Sequence, residues 1–275
     1  MMRRAQPWLG TLVEISVADA LADAELLACF DAAYARIAAV HRLMSFHDPA
    51  SDVSRINRAA AGEAITVDAH TCAVLRCALE VGCASGGLFD VSCAPRLVEW
   101  GYLPAPPGDR PAHVPGRPVL ALEPGCRVRK TGAAWIDLGG IAKGYAVDLA
   151  VDALRQAGVR SACVNAGGDL RAYGELPYPV AIRHPRRPQA AAAHMRLRQG
   201  ALATSATYFS RKRINAHACS ALIDGTDGRP VTGAYSASVF APSCMLADAL
   251  SKVVMASADA RHPALKPFGA SAMVM

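Results

Sequence analysis

An aspartate, two adjacent glycines and a lysine fall together in Asp137-Leu-Gly-Gly-Ile-Ala-Lys143, and the segment runs on through Gly144 to Asp148. It follows the short apolar run 133–136 and leads into residues of helical character, so it reads as a strand-to-helix turn. Turns of that kind bind phosphates, because glycine lets a ligand approach the backbone and the first N–H groups of a helix favour anions. Lys143 adds a cation on a flexible stem. An ordinary glycine turn is the competing reading. The adjacent glycines do not fit GxGxxG, and Gly144 after Lys143 does not fit the Gly-Lys-Ser/Thr of a Walker motif, so both familiar phosphate loops are excluded.

A second group lies near the C-terminus. Asp248, Ser251 and Lys252 fall at i, i+3 and i+4 and share one helix face, while Leu246, Leu250, Val253 and Val254 take another. Carboxylate, hydroxyl and ammonium side by side are either a surface pair or an oxygen site for a hard cation or a phosphate. Ile223 to Pro230 is dense in turn residues and by itself reads as a plain hairpin loop. The eight histidines show no HExxH or other ligand spacing.

The elements that must position these residues can be read from period and caps. Thr11 to Val17 alternates as a strand. Asp23 to Met44 carries the helical stripe Leu26, Phe30, Ala33, Ile37, Val40 and Met44. Ser51 caps a short helix through Asn57, and Asp68 caps another that ends near Gly86 and Gly87. Residues 104–118 form a proline-rich surface loop. Strands follow near 119–122 and 126–129, then a helix from the Asp137 turn to Gln156. Further strands are expected at 162–165, 178–183, 235–240 and 271–275, with a turn at Gly167-Gly168-Asp169 and a helix from Cys244 to Ser257. Helices and strands mix without regular βαβ alternation, which predicts an α+β fold rather than a doubly wound sheet.

Composition bounds the rest. The chain has 275 residues, 52% hydrophobic and 19% charged, enough for one domain over 1–275 with a sizeable core. No apolar run approaches the ~18 residues of a membrane span. The net charge of +6 sits partly in Arg183 to Arg187 and Arg211 to Arg213. These short clusters lack interleaved aromatics and read as solvated loops or as attraction for an anionic ligand, with no nucleic acid expected as partner. The nine cysteines form no CxxC pair, and Cys72, Cys77, Cys163 and Cys244 sit in apolar segments. A reducing cytoplasm fits, since the N-terminus has no signal-peptide core; a periplasmic location follows only if an export signal precedes the sequence.

Taken in order, these segments resemble the FAD:protein FMN transferase family of the ApbE type. Leu9-Gly-Thr11 is similar to that family's Met-Gly-Thr, and Met44 to Asp52 with Ile56-Asn57 to its Ser-x-Tyr loop and following Asn. Gly87-Leu-Phe-Asp-Val-Ser92 is similar to Gly-x-Phe-Asp-x-Thr, with Trp100-Gly101 after it. Asp137 to Asp148, Asn165 to Asp169, Ala203 to Ser205, Asp224 to Pro230 and Ala247 to Leu250 complete the series, which extends to Lys252. The resemblance implies a T-fold-like, two-lobed architecture with mixed or antiparallel sheets flanked by helices. It implies that FAD binds, that a divalent metal, usually magnesium, neutralises the pyrophosphate, and that a Ser or Thr hydroxyl of an acceptor protein takes the FMN phosphorus as AMP leaves. Carried over by position, Leu9, His47, Leu88, Phe89, Asp90, Asp137, Lys143 and Ile223 would line the FAD site. Gly140, through its carbonyl, and Asp248 would hold the metal, with Ser251 where some members have another Asp.

This chain departs from the family where the chemistry lies. Lys252 stands where a metal-binding Thr is usual, and a protonated lysine repels a cation. Ala221 stands where a histidine base is usual, His217 lies four residues earlier, and His47 replaces an aromatic residue. Lys252 and Asp224 are the candidate catalytic residues. Either Lys252 takes the metal's place on the pyrophosphate or the site is disabled. Three readings follow: an FMN transferase, a non-catalytic FAD carrier or regulator, and an FAD pyrophosphatase in which water replaces the acceptor.

Overall fold

The computed structural model describes residues 1–215 and 217–275. The elements in chain order are β1 (Met2–Trp8), β2 (Thr11–Val17), α1 (Asp23–Met44), α2 (Asp52–Arg58), β3 (Ala64–Thr66), α3 (Ala69–Ala84), α4 (Ala94–Glu99), β4 (Leu120–Glu123), β5 (Arg127–Lys130) and α5 (Ala142–Gln156). Then come β6 (Ala162–Ala166), β7 (Asp169–Tyr173), β8 (Tyr178–His184), β9 (Arg187–Leu197), β10 (Gly200–Ala206), β11 (Lys212–Ile214), β12 (His217–Cys219), β13 (Ile223–Asp224), β14 (Arg229–Pro230), β15 (Ser236–Ala241), α6 (Cys244–Ser257) and β16 (Ser271–Val274). The fold is α+β, as expected.

Its frame is a seven-stranded sheet in the order β1-β2-β6-β7-β10-β15-β16, antiparallel at every junction. Because side chains alternate across a strand, each face of this sheet carries its own core. Val13, Ile15, Val164, Ala203 and Val239 join the main core with α1, α5 and α6. Cys163, Leu170, Ala172 and Leu202 point the other way and pack with Tyr178, Ile182 and Leu197 of the β8–β9 hairpin. The expected stripe of α1 is buried as a unit, from Leu26 to Met44. Ser51 and Asp68 cap α2 and α3 by accepting from the amides of Ser54 and His70. Among the described residues no helix is long and apolar enough to cross a membrane.

Three expectations need correction. Residues 133–136 pair in no sheet. The buried Asn57 side chain holds them instead: Ile136 N–H donates to its Oδ1 at 2.7 Å, and its amide donates to the Ile136 carbonyl at 3.0 Å. The strands at 2–8, 169–173, 187–197 and 200–206 were not anticipated, because short alanine- and arginine-rich stretches show no clear period. Finally, loop 104–118 is not wholly a surface segment. The side chain of its His113 is only 1% exposed.

Candidate active site

Helices α5 and α6 meet at Gly144. A Cβ there would collide with the carbonyl of Cys244 and lie 2.8 Å from Asp248 Cβ, so only glycine permits this approach. The contact is reciprocal. Asp248 on α6 accepts the Gly144 amide of α5 at 3.0 Å, while Asp148 on α5 accepts the Cys244 and Met245 amides of α6, each at 2.9 Å. Each carboxylate thus sits at the positive end of the other helix.

Asp248 is fully buried and carries two cations. Lys143 Nζ lies 3.4 Å from both its oxygens, and Lys252 Nζ pairs with Oδ1. Lys143 also reaches Asp169 Oδ2 at 2.9 Å, across from β7. Burial alone would raise the Asp248 pKa, but the two ammoniums and the Gly144 amide outweigh it and bring the group below its ordinary value. For Lys143, burial works against the charge, yet Asp169 and Asp248 hold its pKa well above the lysine range. Asp169 is pushed up by burial and by the Asp248 charge, against the pull of Lys143. Ser251 is buried and occupied on every side. It donates to the Asp248 carbonyl at 2.7 Å, shares a 2.7 Å hydrogen bond with Ser205 and accepts from Lys252 at 3.3 Å.

This cluster closes one end of a cleft of about 1020 Å³ that runs over the β8–β9 side of the sheet. Of the residues singled out in the sequence, Leu88, Phe89, Asp90, Asp137, Gly140, Lys143, Ile223 and Lys252 line it. Asp248 and Ser251 lie behind Lys252, outside the lining. Leu9 sits in the β1–β2 turn with φ 55°, and its neighbours Thr11 and Leu12 reach the cleft in its stead. His47 is exposed, and the pKa of Asp137 is raised chiefly by burial. Asp224 is also outside the lining, with Oδ1 held by the amide and hydroxyl of Thr226. Ala221 is on the wall, and among the described residues no histidine lines the cleft.

The loops of the wall are tied to one another. The Asp137 amide donates to Val91 O at 2.9 Å and the Gly225 amide to Leu88 O at 3.2 Å. Asp90 accepts the amide and hydroxyl of Ser92, both at 2.8 Å, and meets His113 Nε2 at 3.0 Å. Sequence reasoning assigned no role to Asp169, Asp148 or His113. The two aspartates were in view inside motifs, but their partners are distant in the chain; nothing in the proline-rich loop marked His113.

A model of the ApbE family matches residues 9–267. The FAD:protein FMN transferase of Vibrio cholerae is 29% identical over 245 residues, 82% of this chain and 72% of that protein. That of Rhodobacter capsulatus is 34% identical over 221 residues, 74% of this chain but 42% of its own length. Among solved structures, the ApbE protein of Thermotoga maritima superposes with a TM-score of 0.86 at 26% identity, covering 99% of this chain and 93% of that one. The flavin transferase ApbE of Vibrio cholerae gives 0.83 at 26% identity, with 99% and 92% covered. With sequence, fold and the order of the cleft segments in agreement, the chain belongs to the ApbE family.

Proposed function

We propose that this protein transfers the FMN half of FAD to a Ser or Thr hydroxyl of an acceptor flavoprotein and releases AMP. The observation that carries the reading is the pair Lys143 and Lys252, brought together on Asp248 at the end of a cleft large enough for a dinucleotide, in a chain whose relatives are named for this reaction. In the transfer, the acceptor oxygen forms a bond to the FMN phosphorus and the anhydride bond to AMP breaks. Negative charge spreads over the phosphate oxygens, and fixed cations lower that barrier. Lys143 and Lys252 supply two. Leu88, Phe89, Asp90, Asp137 and Ile223 are assigned to holding the nucleotide.

The residues present do not fit a magnesium ion beside Asp248. Two ammoniums already neutralise the two carboxylates Asp169 and Asp248, the Asp248 oxygens are occupied by Lys143, Lys252 and the Gly144 amide, and the Ser251 hydroxyl is fully engaged. A hard cation needs surplus negative oxygen. The charge that a metal would supply is therefore assigned to Lys252.

The acceptor's hydroxyl proton needs a base. Ala221 offers none, so the role falls to a carboxylate, Asp224 or the cleft-lining Asp137. Of Asp224→Asn and Asp137→Asn, the variant that binds FAD but releases no AMP identifies it. The cytoplasmic assignment rests on the cysteines, all nine of which are free thiols, and cell fractionation tests it.

The transfer itself is tested by incubating the protein with FAD and a peptide from an acceptor flavoprotein that presents a Ser or Thr. AMP and flavinylated peptide in equal amounts are expected. AMP with free FMN would make the protein a pyrophosphatase, and bound FAD without AMP would make it a carrier.

A further inference from the structure

Asp90 and Cys93 on one segment and His113, 20 residues beyond Cys93, converge on one point. Asp90 caps the 3-10 turn 91–93, Cys93 ends it, and His113 folds in from the proline-rich loop. Cys93 Sγ lies 3.6 Å from His113 Nε2, and His113 Nε2 lies 3.0 Å from Asp90 Oδ2. All three ligand atoms are within 4.8 Å of one another. Zinc bonds of about 2.3 Å to sulfur and about 2.0 Å to nitrogen or oxygen, set at tetrahedral angles, put S and N about 3.5 Å apart and N and O about 3.3 Å apart. The observed separations match these edges with little movement.

The surroundings suit a cation. Cys93 is 7% exposed and lies among Asp90, Asp224 and Asp137. Burial first, and then those carboxylates, hold its thiol protonated in the free protein, with Arg96 opposing them. His113 Nδ1 is buried with no hydrogen-bond partner among the described residues. In the free protein the Asp90 carboxylate accepts the Nε2–H at 3.0 Å, so binding a metal at Nε2 moves the ring proton to Nδ1. Asp90 and Cys93 both line the cleft, so a fourth coordination position faces that space.

We propose that Asp90, Cys93 and His113 form a binding site for one thiophilic divalent cation of the zinc class. The thiolate selects zinc or cobalt over magnesium. On binding, the metal–sulfur bond forms and the Cys93 thiol proton leaves to solvent. The bound ion would pin loop 104–118 to the wall that carries Leu88, Phe89 and Asp90. The inference shares Asp90 with the transfer reading, but its test uses no FAD, so the failure of one is distinguishable from the failure of the other.

The test is a titration of chelator-stripped, full-length protein with cobalt(II). One cobalt per chain is expected, with the thiolate-to-cobalt charge-transfer absorption in the near ultraviolet, and zinc should bleach it. Cys93→Ser should abolish the band, and His113→Ala should weaken cobalt binding at least tenfold. Absence of the band in the wild-type protein, or its persistence in Cys93→Ser, would overturn the proposal. The wild-type titration decides even if a variant fails to fold.

Discussion

Asp148 and Asp248 are near mirror images in the fold and opposites in chemistry. Each is a buried carboxylate on one of two facing helices, and each accepts backbone amides from the start of the other. Asp148 is closed by one cation, Arg171 at 2.7 Å, and does not line the cleft. Burial leaves its pKa raised despite that partner. Asp248 is closed by two lysines, both of which line the cleft, and its pKa is lowered. The amides lock the N-terminal halves of the two helices together. The number of cations, and whether they line the cleft, separates a structural carboxylate from one that holds cations ready for an anionic ligand.

The sharpest way to break this comparison is Lys143→Ala, which strips Asp169 and Asp248 of their shared cation. AMP release should fall by about 10²–10³-fold. The buried charges left behind should cost about 3–5 kcal/mol in urea unfolding. An unchanged rate would remove Lys143 from the chemistry.

Lys252→Thr restores the residue that the family resemblance implies. Without metal its AMP release should drop about 100-fold, and added magnesium should recover much of the loss. If magnesium has no effect on this variant, Lys252 does not stand in a metal's place.

Asp148→Asn probes the other half of the pair. It should lower stability by about 3 kcal/mol, since Arg171 and two helix amides lose their carboxylate. AMP release per folded molecule should stay at the wild-type level. A selective loss of activity would contradict its structural role.

The smallest effect is in pH. A lowered carboxylate pKa stabilises the fold above the ordinary value of 3.8 and is lost as pH falls through the folded value. A raised lysine pKa stabilises below the ordinary 10.5 and is lost as pH rises through the folded value. The stability gap between wild type and Asp248→Asn should therefore be flat from about pH 5 to about pH 10 and narrow below pH 3.8. A gap that closes near neutrality would show that Asp248 is not held ionised by its lysines.

Long periodic helices and side-chain caps were legible in the sequence because their signals are local. The stripe of α1, Ser51 and Asp68 are examples. The Asp137–Lys143 turn was legible as a phosphate-binding element, but its support was not. Asn57, 79 positions before Ile136, replaces the ladder that a strand would have provided. Asp169 was hidden for the same reason, since its bond to Lys143 crosses from sheet to helix. The helical spacing put Asp248, Ser251 and Lys252 on one face, yet only packing shows that Lys252 alone of the three lines the cleft.

In this site lysine is assigned the charge on the pyrophosphate that a metal would otherwise supply. The direct test is the yield of AMP and flavinylated acceptor peptide from FAD as EDTA is added to metal-stripped protein. Both products should form at the same rate with EDTA as with magnesium. Products that appear only when magnesium is present would contradict that assignment.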